Sequence, residues 1–130
     1  VLRGGSRETV GMKLFIDQLD HVIALLKPHC AEKQTLHELQ TLLLNEKEWP
    51  KAHYLATRVR AKMLKAVEAG DHRAEVQYHF EEVCAQALHN MTSTKKPFDP
   101  DTPYWIIPLA LKLARELKVD ERGILEIVVS

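Results

Sequence analysis

The chain has 130 residues, enough for one domain and too few for two independent cores. Hydrophobic residues make up 45%, and 18 basic residues balance 18 acidic ones. That excludes a disordered chain, and it excludes one drawn to phosphate backbones or anionic lipid by its overall field. No apolar run reaches the roughly eighteen residues of a membrane span, no signal peptide is visible, and a cytoplasmic address is expected.

Residues 1–11 hold three of the five glycines and show no periodicity. They read as an expression remnant or flexible arm ahead of Met12, with residues 12–130 forming a single helical domain. Leu14, Phe15, Leu19, Val22, Ile23 and Leu26 recur at three-and-four spacing and predict a first helix over residues 13–26, stopped by Pro28. Leu36, Leu39, Leu42 and Leu43 mark a second helix ending near Asn45.

Polar groups from Asn45 to Glu48, with Pro50 in the first turn, announce a third helix, whose inner side is Ala52, Leu55, Ala56, Val59, Met63 and Val67. Gly70 ends it, and Asp71 caps a fourth helix with Val76, Phe80, Val83, Cys84, Ala87 and Met91 on one side. So short a connection makes these two antiparallel neighbours.

The pattern stops from Thr92 to Pro103, where three prolines suggest an ordered or semi-rigid loop. Thr102 and Pro103 then open a fifth helix that is apolar nearly all round, from Trp105 to Leu117. Pro108 leaves the Tyr104 carbonyl without its usual partner, so a kink is expected there, or a separate turn over residues 104–107. Asp120 caps a last short helix through Ile127. The β-branched end could pass for a strand, yet no second strand exists to pair with it. The fold expected is all-α: a compact bundle of five or six helices in a single domain.

Three constellations carry candidate chemistry. On the fourth helix His72, Glu75, His79, Glu82, Gln86 and His89 lie three and four apart and form one polar stripe. Imidazole and carboxylate on one ridge suit a divalent metal or an acid–base pair, with His72, Glu75, His79 and Glu82 as the ligands. The competing reading is a solvated, salt-bridged face, because no HExxH or paired Glu-x-x-His motif is present. On the third helix Lys51, Arg58, Lys62 and Lys65, with Arg60 nearby, form either a phosphate-contacting ridge or a set of surface ion pairs.

The third constellation is the proline-aromatic segment around Phe98, Tyr104 and Trp105, joined by the Trp49-Pro50 corner. Aromatic side chains held by prolines are typical anchors of protein interfaces; alternatively they plug the core. Cys30 and Cys84 sit in apolar patterns and outside any CxxC pair, as reduced buried thiols do. Neither GxSxG nor a glycine-rich phosphate loop occurs in the folded part.

The expected function is accordingly protein–protein interaction or regulation, by a protein partner or by self-association as a homodimer through the fifth helix. In size and composition the chain resembles a bacterial-style immunity or regulatory partner. A metal-dependent enzyme using the fourth-helix stripe is the alternative, and a nucleic-acid-binding regulator the second. A membrane role is not expected.

Overall fold

The computed structural model describes residues 2–92 and 98–129, with residues 2–10 as backbone only. Six α-helices follow in order: α1 (Leu2–Leu26), α2 (Gln34–Leu43), α3 (Ala52–Ala69), α4 (His72–Asn90), α5 (Thr102–Leu117) and α6 (Glu121–Val129). Among the described residues there is no strand, and no helix is long and apolar enough to cross a membrane.

Helix α1 begins at Leu2 rather than near Lys13. Adding one more residue to a formed helix costs little, so the backbone extends beyond the segment whose side chains show the period. On the described part of α1, Phe15, Ile16, Leu19, Val22, Ile23 and Leu26 are buried, whereas Leu14 is exposed. The inner face is thus rotated by one residue at its N-terminal end. Pro28 sits in a 3-10 turn, Lys27–His29, that closes α1.

A second 3-10 turn, Glu46–Lys51, contains Pro50 and precedes α3. Trp49 in this turn is buried, and its indole Nε1–H donates to the Leu42 carbonyl at 2.9 Å. That bond ties the corner to the end of α2, where the Leu42 carbonyl also accepts from the Asn45 amide at 3.1 Å. Trp49, expected as an interaction anchor, is therefore a core residue.

The α3–α4 connection follows its sequence signals closely. Gly70 takes φ +70°, and the amide of Asp71 bonds to the Ala66 carbonyl at 2.9 Å, the pattern of a left-handed helix end. Asp71 Oδ1 accepts from the Ala74 amide at 3.2 Å and caps α4. Contacts between the two helices pair residues in opposite order, Lys62 with Tyr78, Arg60 with Glu82 and His53 with His89, so α3 and α4 run antiparallel.

Helix α4 is also packed by α2 and α5. Three neighbours widen its buried arc beyond the side predicted from the sequence: Val76, Gln77, Phe80, Glu81, Cys84, Ala85 and Leu88 are all buried. Val83 and Ala87, expected at the centre of that side, are only half-buried.

Helix α5 runs through Pro108 without interruption, and the residues 104–107 do not form a separate turn. Pro108 and Tyr104 both face solvent, where water can serve the Tyr104 carbonyl that lacks its helical donor. The helix ends at Lys118 in a left-handed conformation, φ 60°. The β-branched chain end is helical, within α6, and Ile124 there is fully buried.

Candidate functional site

The α4 stripe lies between α3 and α5, and three of its six members, His72, Glu82 and His89, reach across to one of them. His72 approaches Glu75 at 3.8 Å on its own helix and Glu116 of α5 at 3.6 Å. His79 stands 3.9 Å from Glu82, whose other carboxylate oxygen faces Arg60 of α3 at 3.9 Å. His89 and His53 share one acceptor, the Pro50 carbonyl, at 3.2 and 3.1 Å. A carbonyl accepts only, so each contact is a hydrogen bond in the tautomer that carries its proton on Nδ1.

The four residues expected to ligate a metal do not converge. His72 is engaged near the α4 start by Glu75 and Glu116, and His79 with Glu82 lies two turns further on. Among the described residues no group of three or more His, Cys, Asp or Glu side chains is placed to hold a metal ion. The geometry is that of a row of partly exposed ion pairs linking helices.

The basic ridge on α3 resolves similarly. Arg58 meets Glu38 of α2 at 2.6 Å, Lys62 meets Glu32 at 3.9 Å, and Lys51 meets Glu48 at 3.8 Å. With Arg60 on Glu82, four of the five cations have a carboxylate partner.

What the structure does bring together is the far end of the stripe and the start of α5. A pocket of about 680 Å³ opens between them, a size typical of small-ligand or side-chain sites. Val83, Ala87 and Met91 form its α4 wall, and Ile106 and Trp105 its α5 wall. Glu82, Gln86, His89 and Asn90 supply polar groups along one side, and Asp99 and Thr102 along another. Trp105 is 57% exposed and Tyr104 75%, while the adjacent Ile106 is wholly buried and anchors the turn that carries them. Phe98 is half-buried and packs on Phe15, ring centroids 6.0 Å apart. Of the aromatic anchors predicted, Trp105 and Tyr104 therefore face outward, Phe98 is shared with the core, and Trp49 is lost to it.

The start of α5 is closed by its own chain. The Asp101 amide bonds to Asp99 Oδ1 and the Thr102 amide to the Asp99 carbonyl, both at 2.9 Å. Pro103 has no N–H, and the Tyr104 amide bonds to the Asp101 carbonyl at 2.9 Å. These are the donors that would otherwise attract an anion.

A second polar group lies deep in the core and was not anticipated. Glu81, with no exposed surface, accepts from Gln77 Nε2 at 2.7 Å through Oε2. Its Oε1 and the buried Thr35 Oγ1 complete no hydrogen bond of ordinary geometry, although Thr35 is near enough to favour the ionised carboxylate. Burial dominates and pushes the Glu81 carboxyl up to about 7. Gln77 and Glu81 fall on positions that the apolar period of α4 assigns to the interior, which is the one signal that could have found them.

Comparison of the chain with known proteins yields no matching family model, no matching characterised protein and no matching solved structure. Its site is defined by its own residues.

Proposed function

We propose that the chain is a protein-binding module whose contact face is the first turn of α5 with the pocket beside it. The observation that carries this reading is the outward placement of Trp105 and Tyr104 on a helix locked down by Ile106. Large aromatic side chains on a rigid element, next to a cavity, are what binding hot spots are built from. The free, buried state of Cys30 and Cys84 fits a cytoplasmic setting, where thiols stay reduced.

The partner is a polypeptide, either a different protein or a second copy of this chain. Nucleic acid is disfavoured because Arg58, Arg60 and Lys62 on α3 each face a carboxylate.

Site-specific photo-crosslinking tests the proposal. Benzoylphenylalanine placed at Tyr104 is expected to capture one discrete polypeptide in the native host, or to give a dimer of the chain itself. The same probe at Leu125, exposed on α6, serves as the control. Equal crosslinking from the two positions, or none from Tyr104, removes the reading.

A further inference from the structure

We infer that Glu81 is a proton-operated latch between α4 and the start of α2. While the carboxyl is neutral the seam stays shut; loss of its proton lets water in and frees residues 32–37 from the core.

The polar groups of the interior are gathered at this seam. Thr35, Gln77 and Glu81 are three of the four buried polar residues among those described, and all three lie where α4 meets the chain entering α2. Gln77 Nε2 donates across the seam to the Glu32 carbonyl at 2.8 Å. Thr35 Oγ1 and Glu81 Oε1 lie near one another without a hydrogen bond of ordinary geometry. On α3 and α5 the buried side chains are apolar, apart from Thr102 at the α5 start. Water entering beside α2 therefore finds an amide, a hydroxyl and a carbonyl, whereas between α4 and its other neighbours it meets hydrocarbon.

Helix α2 is also the shortest of the three helices packed on α4, with ten residues against eighteen in α3 and sixteen in α5. Lys33 at its start supplies no side-chain cap. Local opening draws on elements secured in this way by few bonds.

Nothing around the carboxyl makes good the water it has lost. Burial is the largest influence against its charged form. Lys62 on α3 is the cation that acts on it, but that side chain is half-exposed and stands 3.9 Å from Glu32, whose own carboxylate opposes the ionisation. Among the described residues α5 contributes no charge to it. Tyr78, Cys84 and Cys30 are pushed up by burial, with the Glu81 carboxylate adding to each shift, so they stay neutral beside it. The Thr35 hydroxyl can accept from the acid or donate to the carboxylate and so serves both forms. An ionised Glu81 therefore gains most from hydration, which the opened seam supplies.

Amide hydrogen exchange on the full chain, labelled with nitrogen-15, tests the inference. The His37 amide, bonded to the Lys33 carbonyl at 2.9 Å, reports on the start of α2, and the Val59 amide within α3 reports on global unfolding. Corrected for the intrinsic rate, His37 protection should fall about tenfold from pH 6 to pH 8, the factor for a carboxyl at about 7 when covered and 4.5 when hydrated. It should stay level in Glu81→Gln, which keeps the exposed imidazoles His29 and His37 beside the seam. In urea below the unfolding midpoint, His37 exchange should remain nearly flat while Val59 exchange accelerates, because a local opening exposes little surface. The wild-type pH and urea series stand without the variant. The inference is overturned if wild-type His37 protection is equal at the two pH values, if Glu81→Gln loses protection to the same extent, or if His37 follows Val59 in urea at pH 8. That last result would assign the pH response to the whole fold.

Discussion

Gln77 and Glu81, one turn apart on α4, form a buried pair in which a single amide nitrogen serves two acceptors. Gln77 Nε2 donates to Glu81 Oε2 at 2.7 Å and to the Glu32 carbonyl at 2.8 Å. Both hydrogens of the amide are thereby used, linking the core of α4 to the chain just before α2.

A pH dependence of stability follows from this pair. Burial disfavours the charged form and pushes the Glu81 carboxyl up from its ordinary value of 4.5 to about 7 in the folded chain. Between those values the folded state holds more protons than the unfolded one, so stability must fall as pH rises. The contribution is complete below about pH 4.5 and gone above about pH 7, a span on the order of 3 kcal/mol for this one group. Glu81→Gln should raise the urea midpoint at pH 8 and flatten the profile between pH 5 and 8. A wild-type midpoint that increases over that interval by as much as the variant's would contradict the assignment.

The two left-handed helix ends give opposite expectations. At Gly70 an added Cβ would meet nothing within 4 Å, so Gly70→Ala isolates backbone strain and should cost about 1–2 kcal/mol. Lys118 already bears that strain at φ 60°. Lys118→Gly should therefore stabilise the chain by up to about 1 kcal/mol, partly offset by the freer unfolded state. Denaturant unfolding of both variants measures the two effects on one scale.

Trp49 and Trp105 should behave as opposite kinds of tryptophan. Removing the indole donor in Trp49→Phe leaves the Leu42 carbonyl with the Asn45 amide alone, at 3.1 Å, and the lost bond should cost about 0.5–1.5 kcal/mol in unfolding experiments. Trp105→Phe alters a half-exposed side chain and should change stability by less than about 0.5 kcal/mol. Acrylamide should quench native fluorescence mainly from Trp105, so the quenchable fraction should vanish in Trp105→Phe and persist in Trp49→Phe.

Neither cysteine should react in the folded chain. Burial pushes the Cys30 thiol up to about 11, and Cys84, enclosed in the core, is also raised, with the nearby Glu81 carboxylate adding to both shifts. Thiolate is the reacting species, so alkylation at pH 8 should be slow and should accelerate with denaturant in step with unfolding. Rapid native alkylation of one cysteine would show an opening that this packing does not provide.

The α4 stripe should prove energetically modest. Its ion pairs are partly exposed and 3.6–3.9 Å long, so His79→Ala should shift stability by less than about 1 kcal/mol. Calorimetric titration with zinc should show no tight site, because the stripe's imidazoles face different carboxylates rather than one point. A tight zinc isotherm abolished by His79→Ala would revive the metal-dependent alternative.

How far each element was legible depended on whether its buried positions carry apolar residues. The helix ends at Gly70 and Asp71 are local devices, fixed by φ and by one side-chain oxygen, and they stand where the residues indicate. The inner sides of α1, α2 and α3 carry apolar residues at their periodic positions, and most of these are buried. Helix α4 meets α2, α3 and α5, so its interior arc includes Gln77 and Glu81, which a reading by polarity assigns to water. Trp49 and Trp105 pose the same difficulty: each follows or precedes prolines in similar company, yet one is enclosed and the other is open.

The residue pattern alone determined that this chain is helical, because spacing, caps and the left-handed glycine act within a few residues of one another. Tertiary packing decided which aromatic side chains remain outside, which carboxyl is taken from water, and that the end of the stripe meets Trp105 across a cavity. Those outcomes depend on contacts between segments far apart in the chain, and burial is a property of the assembled neighbours rather than of any one helix.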